Sequence, residues 1–535
     1  AQSAYRADKL PAAEAWLHLY RWAQLFGQDE RAFVLQWIAE VRAASLAHPN
    51  MPQNYNPVAR PLGEILTPEL RARLMGDAAF SGEFFGLLAP VDYLPRVFEI
   101  LNELHRRDPA RFLSHRSLAV AIALVYDVPP PPIWPHAQVS ATSLPRRFAP
   151  PEDAFEWWID QEKKGRLFHR TAALGADELK FVVDTVTPFV ELTWSQQVAD
   201  YPLGQLAKAY TMVRYRADRA ANSTAVWTGA SYRMHEVLGQ GGICVDQAYF
   251  AAQVGKARGV PTLLFQGRGN DGRHAWFGYL DSNRQWKLDA GRYKEQRFVT
   301  GYARDPQTWR ELSDHELRFL SERFHELPSF KASQVHASFA ADFLAQREAP
   351  AAAQAARRAV TLEKRNRLAW DTLLAAAQSE GKPPTVIEGV LREAAAAFAR
   401  YPDLEAAYLT RAAESLRARG QGTEADAELR KLALKNRSGR GDLSVQQARD
   451  QLLRAVATKP LPEQVQTYNS VVDSYGRGAG MSFYDGVIVG FVEHLLAEGQ
   501  KAEAQRAIER AKRVLKIEDR SQLAEEMAAL AKKAK

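Results

Sequence analysis

Cysteine is almost absent from this chain, with one residue, Cys244, among 535. A single thiol excludes an internal disulfide framework and an all-cysteine metal site, and it fits either redox compartment. Long apolar runs are missing as well. The best candidate, Leu118 to Val125, is far shorter than the roughly eighteen residues a spanning helix needs, so no membrane span is expected. Charge of one sign is not in large excess either. Its 70 basic and 63 acidic residues are interspersed and leave a net charge of +7, with no recognition motif or basic stripe, which argues against a nucleic-acid partner. With hydrophobic residues at 46% and charged residues at 25%, the expectation is a folded, soluble chain and not a disordered one. The length predicts two or three domains. The chain opens Ala1-Gln2-Ser3, as it would after cleavage of a signal peptide, although any shortened chain would open the same way. A periplasmic or secreted location is the expectation.

Helical spacing dominates the first segment, from Ala12 to about Tyr126, where Trp16, Leu17, Tyr20 and Ala23, then Phe33, Trp37 and Val41, read as core stripes. The prolines at 129–132, followed by Pro135, Pro145, Pro150 and Pro151, cannot continue a helix and mark a first boundary. Beyond it Glu152 to Lys163 and Leu203 to Tyr215 read as helix, while Lys180 to Val190 mixes β-branched and aromatic residues and reads as strand. From about Ser333 the strong helix formers take over, broken by short turns. Arg417-Ala418-Arg419-Gly420-Gln421 resembles Leu496-Ala497-Glu498-Gly499-Gln500, and Glu380-Gly381-Lys382 is a fainter third copy. A period of roughly forty residues predicts stacked helix pairs, of the tetratricopeptide or the longer HEAT kind. Such an array would bind a protein partner or serve packing alone.

The segment from Tyr232 to Tyr293 carries the chemistry. Gly239-Gln240-Gly241-Gly242-Ile243 has no helix tendency, whereas Cys244 to Arg258 does, with Gly259 as C-terminal cap and Pro261 as stop. Cys244 therefore falls in a first helical turn, where unpaired backbone N–H groups and the dipole favour thiolate. The paired glycines, Gly242 included, would let a substrate backbone approach. Downstream, Arg273 to Leu280 and Gln285 to Asp289 read as strands joined by Asp281-Ser282-Asn283-Arg284. A turn symmetric about Ser282 and Asn283 sets Tyr279 across from Trp286 and Phe277 across from Leu288, one apolar face. It also sets His274 across from Gly291, so that His274 and Asp289 form a diagonal pair about 7–8 Å apart on the other face. Asp246 reads as a surface charge favoured by the helix dipole. His235 and His315 lack a second ligand at metal-site spacing and read as structural.

Gly242-Ile243-Cys244, the closing Arg258-Gly259-Val260-Pro261, His274-Ala275-Trp276 and Trp286-Lys287-Leu288-Asp289 together resemble the core of the transglutaminase-like superfamily, in the family's order and spacing. The resemblance covers about sixty residues directly. It implies an α+β fold, a papain-like core of helix plus antiparallel sheet, within a chain divided as a helical region 1–150, a catalytic domain 151–330 and a tetratricopeptide-like helical domain 331–535. It implies acyl transfer on peptide or isopeptide amides of a peptide or protein substrate, without metal or organic cofactor. Cys244 would attack the carbonyl and form a thioester, His274 would hold the thiolate and protonate the leaving amine, and Asp289 would fix the imidazole tautomer. The Cys244 backbone N–H is the natural oxyanion donor, with Gln240 and Trp194 as further candidates and Gly242 and Trp276 as cleft residues. The chain departs from the family after the histidine and tryptophan, where Phe277-Gly278-Tyr279 replaces an acidic residue often found there. The rival expectation is a catalytically inactive core serving as scaffold, with the helical half binding a protein partner.

Overall fold

The computed structural model describes residues 1–44, 57–221, 226–270, 272–293, 299–437 and 439–535. They form a helix-rich α+β arrangement with one five-stranded antiparallel sheet. Its strands are β1 (Thr262–Arg268), β2 (Arg273–Leu280), β3 (Trp286–Ala290), β4 (Tyr302–Arg304) and β5 (Glu311–Ser313), in the order β3-β2-β1-β4-β5. Among the described residues no helix is long and apolar enough to cross a membrane. Two compact units divide the chain: Ala1–Phe265 with Ala275–Arg292 and Tyr302–Leu312, and Gln266–His274 with Tyr293–Gly301 and Ser313–Lys535.

In the first unit one hydrophobic core runs from Trp22 to Ala290, so the boundary expected near residue 150 separates no cores. The proline-rich stretch joins the fold because Arg146 donates to the carbonyls of His136, Val139, Ser140 and Leu144, which satisfies its backbone in place. The apolar run Leu118–Val125 is buried throughout inside the helix Arg116–Val125. Leu17, Trp37 and Val41 are core as expected, but Trp16, Tyr20 and Ala23 are exposed, since their helix turns Ala13 and Trp22 inward beside Leu17. The stretch expected as a strand, Lys180 to Val190, is helical at both ends, in Ala176–Val183 and Phe189–Val198. Leu179, Val182 and Val183 share the buried side of the first of these, a helical period that outweighs their β propensity. Leu203 to Tyr215 holds only a short turn of helix, Leu203–Gln205, and the helix Lys208–Met212.

In the second unit consecutive helices from Pro328 onward pack against one another. The glycines of the three repeated motifs, Gly381, Gly420 and Gly499, all take positive φ at helix C-termini. Each closes its helix with the same pair of bonds. The glycine N–H reaches back three residues and the next N–H five, to Gln378 and Ala377, Arg417 and Leu416, or Leu496 and Leu495. This is the Schellman cap, which only a residue free to adopt left-handed backbone closes without strain.

The first unit also buries acids. Asp92 accepts hydrogen bonds from Ala89 N–H and the Gln307 amide, and Asp127 accepts one from Tyr93 N–H. Burial pushes the Asp92 carboxyl up to about 7, and burial together with Asp92 pushes Asp127 well above its usual range. The folded chain therefore holds protons that an unfolded carboxyl releases near pH 4, so stability falls as pH rises from about 4 to about 7, by on the order of 4 kcal/mol for Asp92. Asp92→Asn, whose carbonyl can still accept these bonds, is expected to flatten that decline in urea unfolding. An unchanged decline would contradict the assignment.

Candidate active site

The approach to Cys244 is built by close backbone packing. The helix Met234–Gln240 ends at Gly241, whose φ of 74° and approach to Arg214 leave no room for a side chain: a Cβ there would lie 2.5 Å from the Arg214 carbonyl oxygen. Gly242 forms a parallel bridge with Tyr215, donating to Arg214 O at 3.0 Å and accepting from Arg216 N–H at 2.9 Å. The helix Cys244–Ala257 then starts, with Ile243 as N-cap and Cys244 as its first residue. It ends as expected, with Gly259 in positive φ. This helix is buried along nearly its whole length and shares a core with Ala275, Phe277 and Tyr279 of β2.

Asp246 shapes that start. It is not a surface charge but a buried group, 1% exposed. Its carboxylate accepts from Ile243 N–H at 2.8 Å, Arg219 Nη1 at 3.0 Å and the Tyr232 hydroxyl at 2.6 Å. The cap bond explains why the carboxylate turns back toward the loop. It also explains Gly242, where a Cβ would stand 2.3 Å from that of Asp246. Gly242 is thus buried and makes room for a side chain of its own helix, not for a substrate. Tyr232 meets His136 Nε2 at 3.0 Å. Because the tyrosine spends its one proton on Asp246, Nε2 of His136 must be the donor. Burial, with Arg146 nearby, lowers His136 to about 3, so this imidazole is neutral. The Asp246 carboxyl is itself pushed up by burial, against the pull of Tyr232, Ile243 N–H and Arg219.

Cys244 keeps part of its surface accessible. Burial of its sulfur pushes the thiol up, the N–H groups of Ala275 and Val245 pull it down, and the Asp246 charge pushes it up again, with a net upward direction. The helix terminus alone does not yield a thiolate, contrary to the expectation from position. Cys244 packs against the core that includes Ala275 of β2, one residue along the chain from His274.

The hairpin β2–β3 forms, but in a different register. Its loop is Ser282-Asn283-Arg284, with Arg284 at φ 56° and Asp281 N–H bonded to Gln285 O. The Asp281 carboxylate accepts from Asn283 and Gln285 N–H, which stabilises this longer turn. Tyr279 therefore pairs with Lys287 and Leu280 with Trp286, and a bulge then pairs Phe277 with Ala290. The expected apolar face forms only in part, Trp286 packing against the same core as Phe277 and Tyr279. Phe277 and Tyr279 join the helix-side core, whereas Leu288 packs beside Gly278 and Phe265. The chain turns after β3, Arg292 N–H bonding Asp289 O. The aromatic neighbour of His274, itself 5% exposed, is Tyr293, stacked with ring centres 4.1 Å apart. Asp289 is exposed on β3, and its carboxylate makes no hydrogen bond or ion pair among the described residues. The diagonal pairing with His274 derived from the symmetric turn is thereby overturned. Trp276 is fully buried, donates to Leu288 O at 2.9 Å and lies under the Arg292 guanidinium, so it packs and does not line an open cleft.

Of the further oxyanion candidates, Gln240 is exposed at the end of its helix, its carbonyl accepting from Arg216, and Trp194 meets the His235 ring edge-on at 6.2 Å. His315 sits beside Asp314 at 3.6 Å. No local pattern marks Tyr215. This residue is 43% exposed, and its hydroxyl is pushed up by burial and then by Cys244, which makes it a neighbour of that thiol. Tyr232 and Arg219 were likewise unmarked, because only the fold brings them to Asp246. In comparisons with known proteins, no family model, curated protein or solved structure matches the chain.

Gly242→Ala is expected to destabilise the chain by about 1–3 kcal/mol in urea unfolding through the clash with Asp246. Gly239→Ala, where nothing lies within 4 Å of the added carbon, is the control and is expected to be neutral or mildly stabilising. Equal costs at both positions would contradict the role given to Asp246.

Proposed function

We propose that the chain is a transglutaminase-like, thiol-dependent acyl-transfer enzyme acting on peptide or isopeptide amides, with Cys244 as nucleophile and His274 as base. One observation carries the reading: a partly accessible thiol at the first residue of a core helix packs against the core that includes Ala275, next in sequence to a buried histidine. A helix packed on an antiparallel sheet, with nucleophile on one and base on the other, is the arrangement a papain-like core requires. Because burial and Asp246 hold the thiol up, the nucleophile needs a base to take its proton, and that is the work assigned to His274. The imidazolium then protonates the departing amine as the C–N bond breaks, leaving an acyl group on sulfur. Attack on the thioester by water or a second amine releases it. The Cys244 backbone N–H is the natural oxyanion donor in this reading. Asp289 is the third group at the family's position. Exposed, and without a hydrogen bond or ion pair among the described residues, it contributes less than His274.

A second reading is favoured by the same raised thiol and exposed Asp289: an inactive core whose helical array holds a protein partner. Alkylation of Cys244 by iodoacetamide across the pH range separates the two. The active reading expects a near-neutral limb in the rate, lost with loss of turnover in Cys244→Ala. The limb is expected to fall by about a hundredfold or more in His274→Ala, and about tenfold or less in Asp289→Asn. A profile that rises only where an unperturbed thiol ionises would favour the scaffold.

A further inference from the structure

The segment that carries His274 is grouped with the C-terminal helices, not with the helical core that precedes it. The reason is a dense set of contacts around the β1–β2 turn. Met481 N–H donates to Gly269 O at 3.0 Å and the Ser482 hydroxyl to Arg268 O at 3.2 Å. Gly480, at φ 49°, lies so close to Asn270 that a Cβ would stand 2.3 Å from its Cα. Gln522 accepts from Arg273 N–H at 3.0 Å.

The charged part of this clamp centres on Arg273. Its guanidinium makes two bonds to Asp485, from Nη2 at 2.5 Å and Nε at 3.1 Å, and two to Glu526, from Nη1 at 2.5 Å and Nη2 at 3.0 Å. Arg268 reaches the same Asp485 at 2.7 Å. Asp485 lies in a π turn, Tyr484–Ile488, a rare widening of a helix that recurs where function needs a side chain re-aimed. Glu526 lies on the last helix, Gln522–Lys533, where Gln522 donates to it at 3.0 Å. Two forked pairs on one guanidinium fix its orientation as well as its charge, which a lysine could not do.

We propose that Arg273 is a positioning residue for His274, and that the C-terminal helical unit, through Asp485 and Glu526, sets the backbone from which the imidazole projects. The array is then part of the working enzyme and not an appended binding module. This inference rests on His274 being the base of the acyl-transfer reaction.

The test uses the full chain with Asp485→Asn combined with Glu526→Gln, and separately with Arg273→Lys. Hydrogen exchange is followed in peptides covering Arg268 to Trp276, with the core helix Arg116–Val125 as internal reference, and the pH profile of Cys244 alkylation is recorded on the same samples. The double variant is expected to exchange at least about tenfold faster in the Arg268 to Trp276 peptides alone and to lose the near-neutral limb. Arg273→Lys, keeping charge without the fork, is expected to fall between it and the unaltered chain. Unchanged exchange, or faster exchange with the limb intact, overturns the positioning role. A limb missing from the unaltered chain instead overturns the acyl-transfer reading, and the exchange data tell the two failures apart. If the double variant unfolds, Arg273→Lys alone decides by the same two readouts.

Discussion

One buried carboxylate fixes the geometry on which the candidate site depends. Asp246 holds the N–H of Ile243, the guanidinium of Arg219 and the hydroxyl of Tyr232 at once, so the residue two places before it in the helix, Cys244, starts from a defined turn. A charge this deeply buried is tolerated only when each oxygen is satisfied and an opposite charge stands by, and both conditions hold. Removing any one partner would leave a buried group unpaired, which costs more than the bond itself is worth. The neutral His136 behind Tyr232 extends the network without adding charge. A rigid turn is what a nucleophile needs if its attack geometry is to be reproducible.

The same carboxylate creates a difficulty that the chemistry must solve. Its charge and the burial of the sulfur both oppose ionisation of Cys244, while backbone N–H groups favour it. Helix position is then outweighed, and under the proposed chemistry the thiol would need a base. The proposed chemistry would tie the site to the strand beyond Ala275, so the surroundings of His274, with Tyr293 stacked on its ring and Arg273 locked beside it in sequence, matter as much as those of Cys244.

How much of this was legible in the sequence depended on how local the cause was. The helix from Cys244, its glycine stop, both hairpin strands and the repeated glycine caps of the C-terminal helices are written in short-range preferences, and each forms where the pattern indicates. The hairpin register was not legible, because a two-residue and a three-residue loop both suit Asp281-Ser282-Asn283-Arg284. The Asp281 side chain decides by capping two amides, and a bulge then shifts the rest. Asp246 read as a surface group because its partners, Arg219 and Tyr232, are 27 and 14 residues away. Lys180 to Val190 read as strand because composition says nothing of which side is buried. The proline stretch read as a boundary because the carbonyl ties made by Arg146 are invisible in one dimension. The resemblance to the transglutaminase-like core rests on four short motifs, and Asp289, which closes the last of them, stands exposed on β3.

The most direct trial of the central claim is intact-mass measurement of the chain during reaction with an activated acyl ester at near-neutral pH. A competent nucleophile with an adjacent base predicts one transient acyl adduct, labile to neutral hydroxylamine as a thioester is, located on Cys244 and absent from Cys244→Ala. A chain that gains no such adduct, or gains it equally when Cys244 is replaced, would contradict the account.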